Sequence, residues 1–266
     1  MSLLLFVAGG AATGALFGAL AAGRRRASED VQAEAQDSAA PRSPSAEALG
    51  PASDRSETGR PPPLPADVVR PKSQGVPFAE GIARPVWPLQ TRHPRRGVVS
   101  YRGVDGKVRG NWARRFAAYR EGSKGKRDRS HAGIDLFGHP GDPVLAVADG
   151  MVTAVQRYHL GSWAVFVDHG DVVVMYGEVA ANSWKGLGVS VGTEVRAGQP
   201  IAAVACMVRN KEGRCVSHML HLETYVPGTR RNLRWYAGQD PPPALRDPTL
   251  LLLHAAQEPS TLAAAA

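Results

Sequence analysis

The sequence predicts an all-β domain of short antiparallel strands, carried behind a membrane-spanning N-terminus and an unstructured linker. Three observations predict it. From Ser130 onward, β-branched runs are broken by Gly, Asp and Asn at intervals of about eight to twelve residues, the pattern of antiparallel all-β domains. Ahead of these runs, Ala27 to about Ile82 is Pro, Ser, Ala and charge with almost no aromatic side chains, and such a stretch cannot bury enough apolar surface to offset its ordering entropy. Ser2 to Ala22 is uncharged and rich in Leu, Ala, Gly and Phe, close to the roughly twenty residues a helix needs to cross a bilayer. The expected division is a transmembrane or signal anchor over 1–23, a disordered Pro/Ser/Ala-rich linker over 24–83, one domain over 84–254 and a flexible tail over 255–266.

The apolar segment has no basic residue before it and Arg24, Arg25 and Arg26 after it, which favours a retained anchor over a cleaved signal peptide. Ala19-Leu20-Ala21 would still serve as a cleavage site. Gly10, Gly14 and Gly18 recur every fourth residue and would line one face of a helix, where a second copy could approach to form a homodimer; an Ala/Gly-rich segment also gives this pattern by chance. Basic residues beside a span tend to stay cytoplasmic. Cys206 and Cys215 argue for the other side, because a disulfide between them would pin a polar loop in an oxidising compartment; two free thiols are the alternative. The resulting expectation is a domain anchored to the membrane at the cell envelope, periplasmic or extracellular. A net charge of +8 favours anionic lipid, acidic wall polymers or nucleic acid as partners without choosing among them.

Between Arg92 and Arg129 there are 13 Lys and Arg against 3 acidic residues, interleaved with Tyr101, Trp112, Phe116 and Tyr119. That mixture suits a polyanion contact, but a solvated basic insertion between the first strands, with a short helix over Trp112 to Glu121, is the stronger reading, and nucleic acid is not an expected partner. Pro143 to Ala148 and Met151 to Val155 flank Asp149-Gly150, and Trp163 to Asp168 and Val172 to Tyr176 flank His169-Gly170-Asp171; both read as hairpins. Further strand pairs are expected between Glu194 and Ala205 and between Val216 and Tyr225.

The sharpest chemical feature is His131-Ala132-Gly133-Ile134-Asp135. Side chains alternate across a strand, so His131, Gly133 and Asp135 share one face, and Gly133 leaves the space between the other two open. In Met219-Leu220-His221-Leu222-Glu223 the same alternation puts His221 beside Glu223, which would orient it or lie on the surface. Two His and one Asp form a three-ligand set with a position left for water, as in catalytic zinc sites. Isolated His residues in satisfied structural positions are the alternative. His139, His159 and His169 fall in loops and are read as exposed or as groove walls, and Tyr176 and Trp163 as packed in the core.

At these residues the chain resembles the lysostaphin/LytM-type zinc metalloendopeptidases, which cut peptide bridges in bacterial peptidoglycan. His131, Gly133 and Asp135 match the family's H-x-G-x-D motif, and His221 and Glu223 match the end of its H-x-H-x-E motif. The resemblance extends through Trp87-Pro88, Gly141-Asp142-Pro143-Val144, Ala148-Asp149-Gly150, Asp168-His169-Gly170, Gly192 to Ile201 and Asp247-Pro248. It implies an antiparallel two-sheet fold, Zn²⁺ held by His131, Asp135 and His221, and a peptidoglycan or other envelope peptide as substrate. The family places two further His residues beside the metal, to activate water and to stabilise the transition state. Here those positions hold Glu178, in Tyr176-Gly177-Glu178-Val179, and Met219. Glu178 is a carboxylate able to act as the replacement base, whereas Met219 can neither transfer a proton nor donate a hydrogen bond. Two functions therefore compete: a zinc metalloendopeptidase acting on peptidoglycan cross-links, and a weak or inactive relative that binds peptidoglycan or regulates another hydrolase. A biotinyl/lipoyl-type carrier, suggested by Gly192 to Ile201, lacks a Lys in a suitable turn.

Overall fold

A computed structural model describes residues 75–122 and 125–257. The expected membrane helix over 1–23 with its Gly10, Gly14 and Gly18 face, most of the linker over 24–83 and residues 258–266 of the tail lie outside the described residues. Among the described residues no helix is long and apolar enough to cross a membrane.

Two ribbons come first: β1 (Tyr101–Arg102) with β2 (Val108–Arg109), and β3 (Tyr119–Arg120) with β4 (Arg129–Ser130). Then follow β5 (Ile134–Leu136), β6 (Pro143–Leu145), β7 (Gly150–Arg157), β8 (Trp163–Asp168), β9 (Val173–Val179), β10 (Glu194–Val195) and β11 (Pro200–Ala203). The chain continues through β12 (Val208–Arg209), β13 (Cys215–Ser217), β14 (Leu220–Tyr225), β15 (Leu245–Arg246) and one helix, α1 (Thr249–Gln257). The principal sheet has seven strands in the order β10-β7-β8-β9-β14-β15, with β5 also paired to β14. Its pairings are antiparallel. β6 pairs with β11, and β12 pairs with β13, where Cys206 and Cys215 are joined by a disulfide.

All seven residues of β9 and all six of β14 are buried, so these central strands are covered on both faces, and the polar side chains of Glu178, His221, Glu223 and Thr224 are enclosed with the apolar ones. Phe166, Met175, Leu220 and Leu222 are wholly inaccessible, and each such side chain contributes about 1.5–3 kcal/mol of burial free energy. The site is built on this rigid centre.

The mostly-β antiparallel expectation holds, and several details differ. Instead of two sheets there is one large sheet with separate two-stranded ribbons. Residues 76–79, assigned to the linker, are part of the fold: Ala79 N–H donates to the Asp247 carbonyl at 2.9 Å and Asp247 N–H to that of Pro77 at 2.8 Å. Residues 255–257, assigned to the tail, complete α1. No helix forms over Trp112 to Glu121, because the backbone there pairs outward. Ala117 N–H donates to the His131 carbonyl, and His131 N–H to the Ala118 carbonyl, both at 2.8 Å. Asp149-Gly150 does not close a hairpin, since β6 and β7 pair with different partners. Gly150 is needed for close approach instead: a Cβ there would lie 2.5 Å from the Asp168 carbonyl oxygen. The His169-Gly170-Asp171 hairpin forms as expected between β8 and β9, with Gly170 at φ +93.

Candidate metal centre

In the sheet, β14 pairs with β5 over Leu220 to Leu222 and with β9 from His221 onward, which sets His221 directly opposite Asp135 on one side and Gly177 on the other. His131 precedes β5 and its ring turns back toward Asp135. His131 Nε2 is 3.1 Å from Asp135 Oδ1 and 3.1 Å from His221 Nδ1, and the last two atoms are 2.8 Å apart. The three side chains are buried.

The outer partners fix which ring nitrogens carry protons. His131 Nδ1 faces the Arg115 carbonyl oxygen at 2.8 Å, and a carbonyl only accepts, so Nδ1 holds the hydrogen. His221 Nε2 faces Glu223 Oε1 at 2.9 Å and holds its hydrogen for the same reason. Consequently His131 Nε2, His221 Nδ1 and Asp135 Oδ1 turn three lone pairs on one point, an arrangement that repels itself unless a cation or proton sits among them. An ion bound tetrahedrally at about 2.0 Å from each would hold the three atoms about 3.3 Å apart, close to the spacing seen. The donor set therefore fits a divalent metal. The position between His131 and Asp135 must be glycine: a Cβ on Gly133 would lie 2.9 Å from His221 Cε1 and 2.3 Å from the Leu222 carbonyl oxygen.

Electrostatics agree with this reading. Burial lowers His131, and its pull outweighs the opposing influence of Asp135. Burial acts to lower His221 as well, but hydrogen bonds with Asp135 and Glu223 push it up to about 10. Burial acts to raise Asp135, yet His131 and His221 hold it well below the usual carboxylate range. Asp135, Glu178 and Glu223 are 6%, 8% and 3% exposed, so three carboxylates are withdrawn from water together. Buried charge of one sign calls for compensating charge of the other.

Part of that compensation comes from residues that the sequence did not single out. Arg120, on β3, donates from Nη2 to Asp135 Oδ2 at 2.9 Å, which leaves Oδ1 for the centre. Arg114 acts electrostatically on Asp135 and Glu178. Tyr225 donates its hydroxyl to Glu223 Oε2, and Tyr158 approaches Oε1 at 3.5 Å while its ring stacks on His221. The only sequence signal for the two arginines is the interleaving of basic and aromatic residues before Ser130.

Glu178 follows Gly177 at a break in the β8–β9 register, where Trp163 pairs with Val179 and Ala164 with Gly177. It adopts φ 62, a left-handed conformation that is costly for a side chain with a Cβ and that gathers at functional sites. Its Oε2 is buried with no hydrogen-bond partner among the described residues, and burial pushes the carboxyl up to about 7. Met219 is partly buried. His218 points elsewhere and donates from Nδ1 to the Gly138 carbonyl oxygen at 2.6 Å. His169 bonds to Asp149 and Tyr176, away from the triad. His159 is exposed, and its neighbours in charge include Arg129 and His221, which places it at the edge of the site.

Comparison with known proteins agrees with the motifs. Residues 129–233 match the sequence model of peptidase family M23. No curated protein matches the chain. Among solved structures, LytU is 22% identical, covering 54% of this chain and 85% of its own, at a TM-score of 0.38. The catalytic domain of lysostaphin from Staphylococcus simulans is 22% identical over 52% of this chain and 88% of its own, at 0.35. A zinc containing peptidase from Vibrio cholerae is 23% identical over 54% and 47%, at 0.31.

Proposed function

We propose that this chain, whose residues 129–233 match peptidase family M23, is a zinc metalloendopeptidase that cleaves peptide cross-links of peptidoglycan, with His131, Asp135 and His221 as metal ligands and Glu178 as general base. The observation that carries the reading is the convergence of His131 Nε2, Asp135 Oδ1 and His221 Nδ1 within 3.1 Å of one another beside a buried carboxylate, Glu178, with an unpartnered oxygen. When bound, zinc supplies Lewis acidity and a water acidified toward neutral pH. Glu178 takes the proton of the attacking water and returns it to the leaving amine. A carboxyl near pH 7 suits both transfers. Glu223 holds the His221 ring by its Nε2–H, and Arg120 holds Asp135 in one-oxygen presentation.

Met219 supplies no donor to the developing oxyanion, and loss of such a donor typically costs about 10²–10³-fold in rate. That residue favours the second reading, a slow or inactive relative that binds peptidoglycan. The Cys206–Cys215 disulfide supports an oxidising compartment, and with it the cell envelope as the place of action. The full-length chain is to be incubated with cross-linked peptidoglycan and new amino termini counted. Release by the wild type and not by Glu178→Gln is the expected result; binding without release would establish the second reading.

A further inference from the structure

Two residues beyond Asp135, the ring of Phe137 gathers basic side chains. The Arg114 guanidinium carbon lies 4.1 Å from the ring centroid and that of Arg95 5.1 Å, while His93 stacks at 5.1 Å with an interplanar angle of 24°. His139 lies 5.1 Å from His93, and His218 lies 5.5 Å from His139. Burial, then His139, Arg114, His218 and Arg95, hold His93 below the usual imidazole range; every one of those neighbours is basic. The Asp142 carboxylate accepts the His139 backbone N–H at 2.6 Å.

Several donors remain available. Arg114 Nη1 is buried and has no hydrogen-bond partner among the described residues. His93 Nδ1 accepts the Arg95 backbone N–H at 3.1 Å, so its Nε2 carries the proton of the neutral ring. A guanidinium stacked on an aromatic face keeps its N–H edge free, in the planar geometry that pairs with a carboxylate. The same Arg114 acts on Asp135 and Glu178, so this patch and the triad are neighbours.

We propose that Phe137 and the basic groups around it form a subsite for a carboxylate of the bound peptide, with Arg114 and Arg95 supplying the charge. The identity of that peptide rests on the hydrolase reading: peptidoglycan stem peptides carry free carboxylates, and one docked at Phe137 would lie a short way from a bond held at the triad. The subsite separates substrates by charge at a position away from the bond being cut.

The test is calorimetric titration of the zinc-loaded full chain with a stem pentapeptide as its free acid and as its C-terminal amide. The acid is expected to bind about tenfold more tightly, the equivalent of one charge-assisted contact. In Arg95→Gln, which leaves Arg114 beside the triad, the preference for the acid should shrink, with zinc content unchanged. Equal binding of acid and amide by the wild type would overturn the subsite, as would displacement of the acid by inorganic phosphate at equal concentration, which marks a general anion site. Binding of neither peptide overturns it too. Cleavage of both peptides without discrimination would remove the subsite and leave the hydrolase reading standing; discrimination without cleavage would do the reverse.

Discussion

Glu178 is where the backbone of β9 departs from ordinary strand geometry. A buried carboxylate at φ 62 with an unpartnered oxygen is held there by the sheet around it, and its removal separates chemistry from folding. Glu178→Gln is expected to lower kcat by about 10²–10³-fold while zinc stoichiometry stays unchanged, checked by steady-state kinetics beside metal analysis. Gly133 gives the complementary case. Its Cβ would press on the Leu222 carbonyl and on His221, so Gly133→Ala is expected to cost about 1–3 kcal/mol in denaturant unfolding and to weaken metal binding together with stability. The grouping of His131, Gly133 and Asp135 was legible because the three lie close together in sequence, although only Asp135 stands on β5 and the other two precede it. Arg114, Arg120 and Tyr158 were not, because they reach the triad from outside β5 and β14 and a basic run by itself reads as a solvated surface; Tyr225 stands on β14 beside Glu223, where a strand tyrosine reads as core.

At the scale of the element, the β3–β4 ribbon decides how Asp135 is presented. It stands where the sequence suggested a helix, and by pairing toward His131 it delivers Arg120 to Oδ2 of the ligand carboxylate. Partners of this kind govern ligand orientation, and their loss typically costs about 10–100-fold in metal affinity. Arg120→Gln is therefore expected to weaken zinc binding by that factor, measured by chelator competition, without altering the far-ultraviolet spectrum. An unchanged affinity would mean that the bridge serves only the ribbon. The hairpin of β8 and β9 could be read from its turn because the turn and its strands are contiguous. The pairing of β6 with β11 could not, since residues 55 to 60 positions apart meet there, and the Asp149-Gly150 dipeptide carries no sign that its glycine serves close packing.

Across the whole molecule, the described residues share one core and one principal sheet, and the centre is tied to it through β14 and β9. A partly buried histidine outside the triad makes that core sensitive to acid. His169 donates from Nδ1 to the Asp149 carbonyl at 2.9 Å and accepts the Tyr176 hydroxyl at Nε2, 3.2 Å away, while Tyr176 accepts the Val147 N–H at 2.9 Å. Both ring nitrogens are satisfied in the neutral form, and burial holds the group below the usual imidazole range. The unfolded chain then binds the proton more readily, so this contribution to stability is full above about pH 6.5 and is lost as the pH falls through the folded value. Thermal unfolding at pH 7.5 and 5.5 should show a smaller pH dependence for His169→Gln than for the wild type. The central claim is the metal triad. Metal analysis of the purified full-length chain beside His221→Ala tests it most directly: about one zinc per chain in the wild type and loss of it in the variant is the predicted result. A wild-type protein that takes up no zinc, or a variant that retains it, would contradict the assignment.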